Sequence, residues 1–244
     1  MRNMMRIKFI AAYILLLSAP GLLMASQYDA FTKDIMQPYG LYKKSLALTS
    51  KTENKEKAIV VVEKFIGAWG ELADKYANDV PDRLSSIQDF SGKINRPTAV
   101  GEEALAMLKA GQVKKAHSHL EEVRYGLWRM RTDAGVVSLN DKVNDFHEAM
   151  EIMMGGIKAD NSAEHLQHLG ERYGQWLAIK WAEIAHTGDS VVDKAAFAEV
   201  IQNGDSAIVM LSAVLKEGDA SAAKKAIGKV KKAYISLFFL PESS

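Results

Sequence analysis

The residues of this chain best suited to chemistry lie on two neighbouring stretches, residues 112–131 and 138–154. Imidazole and carboxylate groups bind Zn, Fe and Cu(II), and a thioether sulfur beside an imidazole favours reduced copper. The side chains of these types that could share one site are His117, Glu121, His147, Met150, Glu151 and Met154. Their chemistry is that of a transition-metal site.

Helical spacing decides which of these side chains can meet. Residues three or four positions apart lie on one stripe of an α-helix. His117 and Glu121 therefore share a stripe of the first stretch, and His147 and Glu151 share one of the second. Two antiparallel helices joined by a short turn would bring Glu121 level with Glu151. We predict a metal site made by His117, Glu121, His147 and Glu151, with Met150 and Met154 as additional candidate ligands.

The same residues have a second interpretation, in which no metal is bound. Arg124 lies one turn after Glu121 and would come level with Glu148. The carboxylates could then form a salt bridge with Arg124 instead of binding a metal. The Glu-x-x-His motif that marks metal sites between paired bundle helices is absent. The two histidines would then lie at the junction of two bundles, and the methionines would fill the core.

Two further groups of charged residues are weaker candidates for a site. His165 and His168 are three positions apart, with Glu164 and Glu171 nearby, and such a pair can hold one ion. The alternative is a solvated helix face. The lysines of residues 224–232 are predicted to form a solvated face or a docking surface for an acidic partner.

No sequence motif for catalysis is found. The chain has no Gly-rich phosphate loop, no nucleophile elbow and no His-Glu-x-x-His motif. His119 and His186 are predicted to be exposed and to belong to no site. We therefore predict a protein that works by binding, not an enzyme, with no catalytic residues.

The elements that must position these residues are predicted to be helices. Apolar residues recur at spacings of three and four, and only 5 of the 244 residues are proline. The sequence thus predicts an all-α fold. The predicted helices cover residues 38–50, 54–77, 81–91, 98–110, 112–131, 138–154, 162–185, 193–216 and 220–240. The first begins with Pro38, and the sixth ends before Gly155–Gly156.

The order of the helices repeats, which predicts a tandem duplication. Residues 108–111 (LKAG) match residues 215–218 (LKEG), and residues 114–116 (KKA) match residues 224–226 (KKA). A four-helix unit of about a hundred residues is large enough to fold alone. We predict three segments, which are a signal peptide at residues 1–25, a first four-helix bundle at residues 26–134 and a second at residues 135–244.

Residues 109–116, which lead into a long helix with Arg124, resemble the last helix of the soluble periplasmic cytochromes of the four-helix b type. Residues 216–226 resemble it as well. The resemblance implies a four-helix bundle, and those proteins bind haem non-covalently through an early methionine and a histidine late in the last helix. The resemblance extends to the fold and not to the haem site, because the corresponding late positions hold Trp128 or Arg131 and Phe238 or Phe239.

The N-terminal residues predict export. Residues 1–8 include three basic residues and no acidic residue, residues 9–24 are largely apolar, and Ala25 and Ser26 are small. This is the layout of a secretory signal peptide cleaved near Ala25. The absence of cysteine excludes disulfides, thiolate metal ligands and covalent c-type haem. The balance of 31 basic and 30 acidic residues gives no case for nucleic-acid binding. We expect a periplasmic protein with no membrane span after signal removal.

These observations leave three functional hypotheses. The first is an exported helical-bundle binding protein that holds a transition metal, Cu, Fe or Zn, on the hairpin of residues 112–154. The alternative is a structural or interaction protein, an adaptor or chaperone-like partner of a periplasmic or envelope complex, with no cofactor. The third is non-covalent haem binding. The metal hypothesis requires the four predicted ligands to converge, whereas an adaptor is expected to expose an apolar patch.

Overall fold

The structure is a computed structural model that describes residues 19–188 and 191–240, with the backbone alone for residues 19–26. Throughout these residues the regular secondary structure is helical and no strand occurs, which confirms the predicted all-α class. The α-helices of this part of the chain are α1 (Ala19–Thr49), α2 (Lys55–Tyr76), α3 (Phe90–Lys109), α4 (Val113–Asp133), α5 (Leu139–Ala159), α6 (Ala163–Ala185), α7 (Lys194–Glu217) and α8 (Ala220–Phe238).

Packing divides the chain into two compact units, residues 1–116 and 117–244. In the first unit, α2 packs against both α1 and α3. In the second, α5 and α7 each pack against α6 and α8, so that these four helices form a closed bundle. The division between the units falls inside α4. The predicted boundary between residues 134 and 135 refers to the sequence repeat and stays a prediction.

Aromatic side chains fill the centre of each unit. In the first unit, the buried Trp69 of α2 donates its indole N–H to the backbone oxygen of Ile94 in α3 over 2.8 Å. In the second, Phe146 of α5 and Trp181 of α6 are almost fully buried, with ring centroids 4.9 Å apart. Rings of this size bury more apolar area than any other side chain, so these contacts are a large part of what holds neighbouring helices together.

Two glycines allow helices to approach α6 closely. Gly204 of α7 lies against the indole of Trp181, and a Cβ atom at this position would overlap the ring. Gly156 of α5 lies against the side chain of Leu169 in the same way. Because these glycines have no side chain, the large residues of α6 can pack directly on the backbones of α5 and α7.

The turn between α4 and α5 is fixed by polar contacts. The Ser138 hydroxyl accepts a hydrogen bond from the Asp141 N–H, and the Asp141 carboxylate accepts one from the Ser138 N–H. Arg131 near the end of α4 donates to the same carboxylate, with Nη2 and Oδ1 2.6 Å apart. This reciprocal cap confirms the predicted start of a helix at Ser138.

A glycine follows the end of both α3 and α7. Gly111 follows α3 with a φ of 76°, and Gly218 follows α7 with a φ of 73°. This left-handed conformation is strained for residues with a Cβ atom, so glycine is the residue that ends a helix in this way.

The predicted limits of α1 and α3 are wrong. Pro38 does not begin a helix but lies inside α1, and Pro97 lies inside α3, which begins at Phe90 instead of residue 98. The helix predicted for residues 81–91 is replaced by one 3₁₀ turn, Asp82–Leu84. Both prolines are buried. Their packing compensates for the backbone hydrogen bond that an internal proline cannot donate.

The predicted end of the sixth helix at the Gly155–Gly156 pair is also wrong. α5 runs through both glycines and ends at Ala159. Ile157, which follows the pair, is 2% exposed. The helix continues because another turn of α5 buries this apolar side chain, which outweighs the roughly 1 kcal/mol that glycine costs inside a helix.

The helix boundaries recur along the chain. α2 begins at Lys55 and α6 at Ala163, which are 108 positions apart; α3 ends at Lys109 and α7 at Glu217, again 108 apart. α4 and α8 begin 107 positions apart, at Val113 and Ala220. These spacings agree with the sequence matches that suggested a duplication, which stays a prediction.

Among the residues that the structure describes, no helix combines the length and apolar character needed to cross a membrane. Most of the predicted signal peptide, residues 1–25, lies outside the described residues.

Candidate functional site

The predicted metal ligands form two separate pairs, each within one helix. On α4, His117 Nε2 lies 3.9 Å from Glu121 Oε1. On α5, His147 Nε2 lies 3.5 Å from Glu151 Oε1. The predicted alignment of each pair on one stripe of its helix is therefore confirmed. Both distances are longer than those of ordinary hydrogen bonds.

The two pairs do not combine into one ligand group. Within the described residues, no three side chains of His, Cys, Asp or Glu are placed to hold a metal ion. Of the two candidate thioethers, Met150 is fully buried in the core and Met154 is half-buried. The structure thus brings the four predicted ligands together two by two, and metal binding stays a prediction.

The centre of the region is instead a buried arginine. Arg124 of α4 is only 3% exposed, and its Nη1 donates to the Tyr234 hydroxyl of α8 over 3.2 Å. Its Nη2 lies 3.3 Å from Glu121 Oε1, and its guanidinium carbon lies 4.9 Å from the centre of the Tyr125 ring. A buried guanidinium needs such partners, because an isolated charge in the interior is very costly.

His147 packs beside this arginine as a neutral imidazole. Its ring lies 4.8 Å from that of Tyr234, and the residue is 7% exposed. Burial lowers the pKa of His147 to about 3, and the nearby charges of Arg124, Lys231 and His117 contribute to the same shift. Glu151 would favour the imidazolium, but its side chain is 48% exposed and its field is weakened by solvent.

We refer to Arg124, His147 and Tyr234 as the Arg124 cluster. Its permanent charge is the guanidinium, since His147 is neutral and a tyrosine hydroxyl is uncharged at neutral pH. A cation placed here would be repelled by Arg124, even though a neutral imidazole is the form of histidine that binds metals. The electrostatics of the cluster are therefore better suited to holding α4, α5 and α8 together than to binding a metal cation.

Tyr234 is the member of this cluster that the sequence analysis missed. A signal for it exists in the repeat. The match between residues 114–116 and 224–226 spans 110 positions, and Arg124 and Tyr234 are also 110 positions apart. In the predicted repeat the two residues are equivalent, and the structure brings them into contact.

Three of the four remaining histidines lie close to a neighbouring polar group. His165 Nε2 lies 3.1 Å from the backbone oxygen of Gly156. His168 Nδ1 lies 3.5 Å from Glu171 Oε2, and the side chains of His168 and Glu171 are both more than 70% exposed. The pair does not face a common ligand position. His119 was predicted to be exposed, but its side chain is only 15% exposed and lies 2.8 Å from Glu122.

The residues that stand where the four-helix cytochromes have their late histidine are engaged in packing and ion pairing. Arg131 forms the salt bridge with Asp141. Phe238 is buried, and its ring stacks on Tyr234 at 5.9 Å and meets Phe239 edge-on. Non-covalent haem binding stays a prediction that these positions do not support.

Comparison with known proteins gives no match. No family model matches the chain, and no significant match is found among curated proteins or among solved structures. The resemblance to the four-helix cytochromes therefore rests on the short sequence motifs alone.

Proposed function

We propose that this protein is an interaction protein that docks, through the outer face of α8, on a partner carrying negative charge. This is the adaptor alternative of the sequence analysis, with its docking element assigned. The observation that carries it is the charge of α8. This helix contains five lysines and no acidic residue, and all five lysines are exposed. They are Lys224, Lys225, Lys229, Lys231 and Lys232.

The lysines of α8 differ from other basic residues of the described chain. Lys75, Arg96, Lys109, Arg131 and Lys142 each lie within ion-pair distance of a carboxylate. Lys229 of α8 instead contacts a thioether, with its Nζ 3.5 Å from Met210 Sδ. Lysines that form no ion pair within the described part of the chain produce a local positive potential that attracts an anionic partner.

Two considerations favour this docking function over a metal site at the hairpin. The Arg124 charge opposes a cation, and the predicted ligands converge only in pairs. We further propose that the protein acts outside the cytoplasm, in the periplasm. This part of the proposal rests on the signal-like pattern of residues 1–25.

The test uses a photo-cross-linking amino acid at Gly228, which is exposed on α8 and has open space around its Cα. A cross-link is expected in intact cells, and it should disappear when Lys225, Lys229 and Lys232 are replaced by Gln. The matched control is Gly67 of α2, which is equally open. Equal cross-linking yields at Gly228 and Gly67 would contradict the proposal. A yield at Gly228 that stays the same when the lysines are replaced would contradict it as well.

A further inference from the structure

The charge of this protein is strongly segregated. The chain has a net charge of +1, and residues 1–25 contain three basic residues and no acidic residue. Residues 26–244 therefore carry −2. Because α8 contributes +5, the rest of that segment carries −7. The net charge of the remainder repels an anionic partner, so α8 is the element whose charge favours the attraction most.

The lysines of α8 are arranged around an apolar strip. At about 100° per residue, the exposed arc of the helix covers roughly 160°. Lys224 and Lys231 lie at one edge of this arc, and Lys225 and Lys229 lie at the other, next to Lys232. Between the edges, the exposed positions are occupied by small residues in the first half of the helix and by Ile235 and Phe239 near its end.

Ile235 and Phe239 are large and exposed, at 43% and 47%. The neighbouring helix extends this apolar character, because Met210 of α7 is 41% exposed and contacts Lys229. Residues 206–215 of α7 contain no acidic residue. This part of α7 therefore brings no carboxylate to the lysines, and the exposed Ile235 and Phe239 lie between positive charges.

Resting on the docking function proposed above, we infer that the anionic partner is the surface of a lipid bilayer containing acidic phospholipids. Lysines at the edges of an exposed helix face, with apolar side chains between them, match the layered chemistry of such a surface. The ammonium groups reach the phosphates while their methylene stems and the apolar side chains enter the headgroup region. An acidic protein would satisfy the lysines but gives no reason for Ile235 and Phe239 to be exposed among them.

The expected strength of this binding follows from the number of lysines. Each lysine close to an anionic surface contributes about 1 kcal/mol, and the interaction weakens as salt screens it. Replacement of three lysines by Gln should therefore lower the partition coefficient about a hundredfold. Replacement of Ile235 and Phe239 by Ser should weaken binding without removing its salt dependence, because the lysines remain.

The experiment is cosedimentation of the mature protein, residues 26–244, with vesicles of phosphatidylglycerol and, separately, of phosphatidylcholine. Binding to phosphatidylglycerol that is lost in high salt is expected, with little binding to phosphatidylcholine. The variant with Lys225, Lys229 and Lys232 replaced by Gln should lose it. The control replaces Lys51, Lys57 and Lys64, which are equally exposed on and before α2, and should bind as the parent does. Circular dichroism confirms that each variant stays helical.

A second readout places the contact on α8. Because the chain has no cysteine, a Ser236→Cys variant carries one thiol, on the exposed face, for a polarity-sensitive fluorophore. Vesicles of phosphatidylglycerol should shift its emission to the blue, and a probe at exposed Asn161 should not respond. Absence of vesicle binding, or equal responses at both positions, would overturn the inference. A lysine-dependent cross-link to a protein at Gly228 would then keep the docking function and replace the lipid with an acidic protein.

Discussion

Burial, together with one buried charge, determines the protonation state of His147. Arg124 lies within the interior with Glu121 and Tyr234 as partners, and its field acts together with burial to keep the imidazole neutral. The pKa of His147 is about 3 in the folded protein, whereas the side chain has an ordinary pKa of 6.5. In the unfolded chain His147 takes up a proton at a pH where the folded protein does not, and this difference couples pH to stability.

We expect the free energy of unfolding to fall as the pH is lowered from 6.5 towards 3. The folded pKa lies below the unfolded one, so His147 has no effect above pH 6.5 and favours the unfolded state below it. The loss is about 2 kcal/mol at pH 5. Ion pairs lower the pKa values of Asp34 and Glu183. The stability that these two carboxylates contribute is therefore lost only below about pH 4.5. Urea denaturation at a series of pH values measures the effect.

The control for this prediction is a pair of histidine substitutions. His147→Phe keeps an aromatic ring against Tyr234 and removes the titrating group, so it should flatten the pH dependence between 6.5 and 5. His168→Gln changes a histidine whose side chain is 71% exposed and should leave the dependence intact. A His147→Phe variant that loses stability with pH as steeply as the parent would show that another group is responsible.

At the scale of residues, the sequence predicted which side chains share a stripe of one helix. It did not predict that Arg124 contacts Tyr234 on another helix. Helical spacing is a local property, so the alignments of His117 with Glu121 and of His147 with Glu151 followed from residue numbers alone. The meeting of Arg124 with Tyr234 depends on how α8 packs against the rest of its unit. That packing results from the apolar faces of several helices together, which spacing along one helix does not contain.

At the scale of the helices, contacts with α6 depend on where its neighbours lack side chains. Gly204 and Trp181 form the tightest of these, because the indole occupies the space that a Cβ atom would take. Trp181 is 1% exposed and also packs on Phe146, so it has no free direction in which to move. The helix pair therefore specifies glycine at position 204.

Gly204→Ala should destabilise the protein by about 1–3 kcal/mol, the typical cost of forcing extra atoms into a packed core. The change acts against intrinsic preference, since alanine is favoured over glycine inside a helix by up to about 1 kcal/mol. Gly174→Ala in α6 is the matched control, because no atom lies near its added Cβ, and it should be neutral or stabilising. Thermal unfolding measures both. Equal midpoints for the two variants would contradict the proposed role of the Trp181 contact.

Helix ends were predictable where a single residue fixes the backbone and failed where packing decides. Gly111 and Gly218 adopt positive φ angles, and Ser138 caps α5 with its own hydroxyl, so these limits were visible in the sequence. Pro38 and Gly156 are ordinarily helix breakers. Both lie inside helices here because neighbouring residues are buried by continuing the helix, and burial is a property of the folded chain.

At the scale of the whole molecule, α4 belongs to both compact units, since the division falls between Ala116 and His117. The part of α4 after this point supplies Arg124 to the Arg124 cluster and Arg131 to the cap of α5. The second unit therefore needs a helix that the sequence repeat assigns to the first half. Unit and repeat boundaries differ by most of a helix.

This difference can be measured with two fragments. A fragment of residues 112–244 keeps the whole of α4 and should unfold cooperatively. A fragment of residues 135–244 lacks α4, which leaves the buried Asp141 without Arg131 and Tyr234 without Arg124. It should be less stable by at least about 3–5 kcal/mol, because breaking a buried ion pair costs that much and the buried apolar side chains of α4 are lost as well. Urea unfolding followed by circular dichroism compares them. Equal stability would support the boundary predicted at residues 134 and 135.

The all-α class was predictable from periodicity alone, because apolar residues three and four apart form a continuous stripe only on a helix. The helices of the second bundle were placed nearly correctly, with α6 predicted at residues 162–185 and found at Ala163–Ala185. The helix predicted for residues 81–91 failed because this short segment forms one 3₁₀ turn that contacts α1.

The segregation of charge has a consequence for how the protein behaves on a chromatographic column. Residues 26–244 have an excess of acidic residues, so their net charge predicts elution without retention from a cation exchanger at neutral pH. A resin presents its charges as a surface and interacts with whichever side of a molecule faces it. With five exposed lysines on α8, a protein of residues 26–244 should be retained by sulfonate beads in spite of its negative net charge, and purification by net charge alone would look for it in the wrong fraction.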